Sequence, residues 1–231
     1  TMNWGVGYFY SPADLLNLTE IDPEDPEADL EGPVAARANL PTGTSNLYLY
    51  GIVPAGAADP TDLAAAGKFE WVVGSAEFGV GAYYQADTAP AIMATATSTF
   101  GDLRLFAEGM VSYGSDKTFV VEGGPTGYTT EAYEDKLFPH GTVGGSYSWS
   151  SDNQNVSVTA LAQYYYNGEG YDDSDYVNLN NAPVAALIGA GSVSATDLAS
   201  PGKHYAAGNL SVGLGDDLRV SALAIANLSH G

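Results

Sequence analysis

Eleven short segments of the chain alternate apolar residues with polar or very small ones, and none carries a charge on its apolar side. In residues 218–228, Leu218, Val220, Ala222, Ala224, Ala226 and Leu228 share one side, and Arg219, Ser221, Leu223, Ile225 and Asn227 the other. Successive side chains of a strand point to opposite faces, so a period of two means β-strand. The segments fall at residues 1–10, 34–40, 46–54, 67–73, 77–86, 91–100, 103–113, 139–150, 155–166, 203–214 and 218–228. Most are about 8–12 residues long, the length a tilted strand needs to cross a bilayer.

The connections alternate in size. Short ones, such as Gly74-Ser75-Ala76, Gly101-Asp102 and Gly215-Asp216-Asp217, carry the residues that tight hairpins need. The longer ones are 11–33, 55–66, 87–90, 114–138 and 167–202. In an up-and-down sheet every second connection lies on the same rim, and outer-membrane barrels pair short periplasmic turns with long extracellular loops. The stretch Ala182 to Ala195, broken by Gly189, Gly191 and Ser192, reads as loop with room for a short helix.

The polar side of the strands is Gly, Ser and Thr with few charges, where a soluble surface carries more Lys and Glu. Phe100, Tyr113, Trp149, Tyr164, Tyr166 and Tyr84 gather at the ends of the apolar side, as in the aromatic girdles of membrane proteins. No run of 18 apolar residues offers a transmembrane helix. The fold expected is therefore all-β: an up-and-down antiparallel transmembrane β-barrel with about 11 strands here, within a barrel of 12 or more. Residues 1–231 are expected to be one barrel. An odd strand count implies truncation at the C-terminal end, and the absence of a signal peptide implies a removed targeting segment or an internal piece of a longer chain.

Seven bases stand against 28 acids, a formal net charge of −21, which repels phosphate backbones and argues against nucleic acid as a partner. Seven acids lie between Glu20 and Glu31, and Asp172, Asp173 and Asp175 form a second group. Both read as solvated loop; a divalent-cation site is the alternative, without the spacing of an EF-hand. There is no cysteine, which removes thiolate metal sites and cysteine nucleophiles. His140, His204 and His230 have no metal-ligand spacing, and Gly123-Gly124-Pro125-Thr126-Gly127 lacks the lysine and helix of a phosphate loop. No enzyme, catalytic residue, metal or cofactor is expected. The sequons at Asn209 and Asn227 are discounted, since strand residues facing a lumen are not glycosylated.

On the strand faces, Arg37, Lys68, Glu70, Glu77, Arg104, Glu108 and Arg219 all point away from the apolar side and would line a pore. Opposed charges across a pore sort solutes, and rings of charge set ion preference; the plainer reading is that they neutralise one another and fix the interior. The acidic loops favour cations or neutral polar solutes.

Trp4-Gly5-Val6-Gly7, then Ser11-Pro12-Ala13-Asp14-Leu15-Leu16-Asn17, then Asp22-Pro23-Glu24-Asp25-Pro26 and Glu31-Gly32-Pro33 resemble the opening of porin-type outer-membrane β-barrels of Gram-negative bacteria, the alginate-export and related uncharacterised large barrels. The resemblance covers roughly residues 1–50. It implies that segment 11–33 folds toward the lumen and that the protein lies in the bacterial outer membrane. Too few bases are present for alginate as substrate. The leading expectation is a passive channel for small polar solutes or cations, with outer-membrane lipid around it and a second copy of itself or an envelope protein as partner. A structural barrel presenting acidic loops 114–138 and 167–202 is the alternative, and a soluble all-β protein a third. A lumen filled by segment 11–33 and other loops would speak against conduction.

Overall fold

The computed structural model describes residues 4–16, 34–54, 57–151, 155–194, 196–198, 201–215 and 218–229. Its strands are β1 (Val34–Thr42), β2 (Ser45–Val53), β3 (Ala64–Val73), β4 (Ala76–Gln85), β5 (Ala91–Phe100), β6 (Leu103–Tyr113), β7 (Thr118–Glu122), β8 (Tyr128–Ala132), β9 (Leu137–Ser150), β10 (Val156–Asn167), β11 (His204–Leu214) and β12 (Leu218–Asn227). One helix, α1 (Ala182–Gly189), lies between β10 and β11. Ten strands form a single antiparallel sheet in the order β1-β2-β3-β4-β5-β6-β9-β10-β11-β12, and β7 and β8 pair separately. No helix among the described residues is long and apolar enough to cross a membrane, which says nothing about strands.

The register gives every strand two faces. Lys68 sits opposite Tyr48 and Gly81, Thr95 opposite Gly79 and Glu108, and Gln163 opposite Gly144 and Ala207. These belong to one face, the inner face. Phe69, Leu105 and Val220 belong to the other and are 41%, 44% and 60% exposed. The large apolar residues of the outer face are thus uncovered, while the buried cluster of Trp4, Tyr50, Ile52, Tyr83 and Met93 lies on the inner side.

Connections on one rim run from two to five residues and those on the other from five to 36. Four hairpins open on a glycine in the left-handed region, Gly43, Gly74, Gly101 and Gly215, with φ of 60–62°. In the first three it opens a tight two-residue turn, a position that penalises any side chain and fixes the register of the hairpin, while Gly215 opens a three-residue connection between the paired Leu214 and Leu218. The opposite rim carries residues 114–136, with the β7–β8 hairpin, and 168–203, with α1. They share a cluster of Val120, Val184 and Val193, closed by Tyr128, Tyr171, Leu187 and Ile188. The Tyr171 hydroxyl accepts the Val120 amide at 2.7 Å.

Two expectations need correction. Of the expected strand 1–10, the described residues 4–10 are irregular chain, because the amides of Val6 to Phe9 are matched by side chains of the inner face rather than by a neighbouring strand. Among the described residues the sheet therefore has ten strands, not eleven, and the odd count disappears. The long loop 114–138 is also not structureless, since five-residue strands pair from Thr118–Ala132 to Glu122–Tyr128. Among the described residues no pairing joins β1 to β12, and both have most positions exposed on both faces.

Candidate functional site

Residues 4–16 lie across the inner face as a strap. Its first half, Trp4-Gly5-Val6-Gly7-Tyr8-Phe9-Tyr10, holds four aromatic residues and two glycines that lie in close quarters. A Cβ on Gly5 would collide with Ser11 Oγ of the strap itself and come within 2.9 Å of Glu108 Oε2, and one on Gly7 would collide with the Tyr10 carbonyl oxygen. The segment turns back through the Asp14 amide to the Ser11 carbonyl, at 3.0 Å, and Asp14 Oδ1 accepts the Trp4 amide, also at 3.0 Å.

Three wall side chains hold the strap. Glu108, on β6 and 6% exposed, accepts the amides of Val6, of Gly7 at 3.0 Å and of Ala13 at 3.3 Å. Gln163, on β10 and 4% exposed, accepts the amides of Tyr8 and Phe9, both at 3.0 Å, and donates Nε2 to the Tyr10 carbonyl at 2.6 Å. Thr142 fixes that amide: its Oγ1 accepts Gln163 Nε2 at 2.8 Å while donating to the Tyr164 carbonyl at 2.7 Å. Lys68, on β3, donates to the Trp4 carbonyl at 2.7 Å and pairs with Glu70 at 2.7 Å. Burial of a carboxylate without a base is costly unless hydrogen bonds match it. Three amides do so for Glu108, whose cross-strand neighbours are Thr95 and Thr142.

Aromatic side chains seat the strap at both ends. Trp4 packs edge-on to Tyr50 with centroids 5.4 Å apart, and Gly81 makes room for it, since a Cβ there would meet Trp4 Cζ3 at 3.2 Å. Tyr8 meets Phe106 at 5.3 Å. Tyr10 stacks on Tyr165 at 4.8 Å and 9°, and leans on Tyr205 at 5.3 Å.

The seven charged residues expected to line a pore all lie on the inner face. Four gather around the strap. Lys68 and Glu108 touch it, Glu70 pairs with Lys68, and Glu77 joins Glu70, Thr95 and Thr97 around a cavity of about 150 Å³ beside Trp4 and Val6. The other three stand apart. Arg37 lies 6.0 Å over the Tyr48 ring on edge strand β1, Arg104 is exposed between Thr99 and Ser146, and Arg219 is exposed opposite Gly213 on edge strand β12. Gln163, Thr142 and Tyr165, which hold the strap, were not among the expected residues. Glu108 was expected on this face, but its hold on the strap was not, since the amides it accepts lie about a hundred positions away.

His140 Nδ1 lies 3.2 Å from the Tyr165 hydroxyl and its Nε2 3.8 Å from Glu169, which also accepts Ser115 Oγ at 2.5 Å and lies 3.6 Å from Lys117. This group ties the loop after β10 to the rim. His204 contacts the Tyr164 hydroxyl at 2.6 Å, and His230 lies outside the described residues. Residues 17–33, with the acidic run 20–31, also lie outside them; of the expected luminal loop 11–33, residues 11–16 belong to the strap. Asp172 pairs with Lys203, and Asp173 caps the Asp175 amide at 2.9 Å. Among the described residues no group of three or more His, Cys, Asp or Glu is placed to hold a metal ion. No family model, curated protein or solved structure matches the chain.

Proposed function

We propose that the chain forms the wall of an outer-membrane, porin-like channel for small polar solutes or cations, with its bore narrowed by the strap. The observation that carries this reading is the sorting of charge. Among the described residues of the ten sheet strands, Arg37, Lys68, Glu70, Glu77, Arg104, Glu108 and Arg219 lie inward, and no Asp, Glu, Lys or Arg lies outward. An apolar face this large and uncovered is unstable in water and suits hydrocarbon. Polar groups inside and hairpins sorted by length between the rims fit the same wall. Ten is an even number, so β1 and β12 run antiparallel and their free edges are those of inward-facing residues. Pairing them, or adding further strands between them, closes the wall without turning any side chain over.

Reconstitution in planar bilayers tests the reading. A small conductance with reversal potentials favouring cations is expected, rising when residues 4–16 are deleted. Clear anion selectivity, or silence from both proteins, would count against a channel. Loss of heat-modifiable gel migration would count against a closed barrel.

The strap itself favours a second reading. Trp4, Ala13 and Leu15 are buried within the bore, and the loops of one rim have a core of their own. A plugged barrel that presents acidic loops to an envelope partner would stay silent even with the strap removed.

A further inference from the structure

We propose that the inner wall is a binding site for a peptide main chain, which residues 4–16 fill in cis and which takes a separate peptide of the same pattern in trans. This deepens the channel reading by naming the class of solute, short glycine- and aromatic-containing peptides; the binding itself does not require that reading.

The polar contacts from Lys68, Glu108 and Gln163 to the strap all end on main-chain atoms. The carbonyls of Trp4 and Tyr10 accept, and the amides of Val6, Gly7, Tyr8, Phe9 and Ala13 donate. A carboxylate that takes amides, a carboxamide that takes two amides and returns a proton to a carbonyl, and an ammonium that gives to a carbonyl together complement a peptide backbone. They do not complement the hydroxyl ring of a sugar or a free metal ion as closely. Each wall group is buried, so each needs those partners or their equivalents.

Side chains then supply selectivity. Tyr50 and the dent at Gly81 take the aromatic ring at the first position, Phe106 the one at the fifth, and the Tyr165–Tyr205 pair the one at the seventh. Glycine at the second and fourth positions lets the peptide fold back on itself, since a Cβ there would strike its own Ser11 Oγ and Tyr10 carbonyl oxygen. The recognised pattern is aromatic-Gly-x-Gly-aromatic-x-aromatic, followed by a turn. The wall residues stand 64 to 155 positions from the strap atoms they hold, so a free peptide can meet the same partners.

The test uses the chain lacking residues 4–16, in detergent, with a fluorescent synthetic peptide of residues 4–16 read by anisotropy. Saturable binding is expected. N-methylation of the peptide at Tyr8 and Phe9 removes two donors and leaves the side chains alone; it is expected to weaken binding about tenfold or more. Gln163→Ala in the wall should weaken it to a similar degree, and maltose should not displace the peptide. Equal binding of the N-methylated and parent peptides overturns main-chain recognition. Absence of binding, by a deletion protein whose strand amides remain protected from exchange, overturns the site. If the deletion protein does not fold, the intact chain carrying Trp4→Ala and Tyr10→Ala replaces it. That chain should bind the peptide where the unsubstituted chain does not, and no binding by the folded double variant has the same force. Conductance separates the two proposals: a deletion protein that conducts but is not blocked by the peptide keeps the channel and loses this site, and one that binds the peptide without conducting does the reverse.

Discussion

Two buried clusters hold this molecule together, and they are built on opposite plans. The one on the inner face joins the strap to the wall: Trp4, Ala13 and Leu15 lie against Tyr50, Ile52, Ala64 and Met93, with buried Lys68, Glu108 and Gln163 beside them. The one on the long-loop rim joins loop to loop: Val120 from the β7–β8 hairpin, Val184 from α1 and Val193 beyond it, ringed by tyrosines. In the first, charged and carboxamide groups set the position of the chain and aromatic rings add contact area. In the second, packing comes first and single hydrogen bonds, such as Val120 to Tyr171, trim it. Wall and rim thus have separate sources of order, and damage to one should leave the other standing.

The strongest way to break that separation is Trp4→Ala, which removes a ring that is 3% exposed. A loss of roughly 3–5 kcal/mol in strap docking is expected. Hydrogen exchange should show it as faster exchange at the Val6, Gly7 and Ala13 amides, with the Val120 amide unchanged. Loss of protection at both places would mean that the two clusters are one unit. Next comes Glu108→Ala, which leaves three amides without their acceptor at about 1–3 kcal/mol for a buried group left unmatched. Glu108→Gln should recover part of it, and full protection of the same amides in Glu108→Ala would show that the carboxylate does not hold the strap. On the rim, Val184→Ala deletes two fully buried methyl groups, worth about 1.6 kcal/mol at 0.8 kcal/mol each. Combined with Trp4→Ala, the two costs should add to within about 0.5 kcal/mol, and a larger coupling would join what is separated above.

The smallest effect concerns a third region, on the surface. In the connection from β2 to β3, the Asp62 carboxylate accepts the amides of Ala58, at 2.7 Å, and Asp59, at 2.9 Å. These bonds, the Asp59 one first, hold its pKa below the ordinary carboxylate value. A depressed pKa gives order that is present above the unfolded value of ~3.9 and is lost as pH falls through the folded one. Protection of the Ala58 and Asp59 amides at pH 6 should therefore disappear in acid, and Asp62→Asn should lack it at both pH values. Unchanged exchange across that range would exclude the carboxylate as the organiser of the turn.

Much of the sheet could be read from the chain because a period of two survives any detail of packing. Phe69 and Trp71 fall opposite Lys68 and Glu70 whatever surrounds them, and the glycines at 43, 74, 101 and 215 mark turns whose geometry excludes other residues. Local pattern failed where order comes from distant partners. Residues 4–10 alternate as a strand does, yet the amides of Val6 to Phe9 go to Glu108 and Gln163, about a hundred or more positions away. Gln163 looks like any other polar residue on an inward face, and nothing near it in sequence sets it apart. The β7–β8 hairpin escaped notice because each strand is five residues long and neither face of it is continuous with the sheet.

Separation along the chain has a consequence for how the molecule is made. Nearly every strand of the sheet pairs with its neighbour in sequence, β6 with β9 being the exception, so the sheet can zip up by short closures. The segment that covers its inside precedes the sheet in sequence but must find residues as far off as 163. It is expected to settle last, over a surface already assembled, and Trp4 fluorescence should lag behind strand formation during refolding. A newly built copy would then pass through a stage in which its interior is bare.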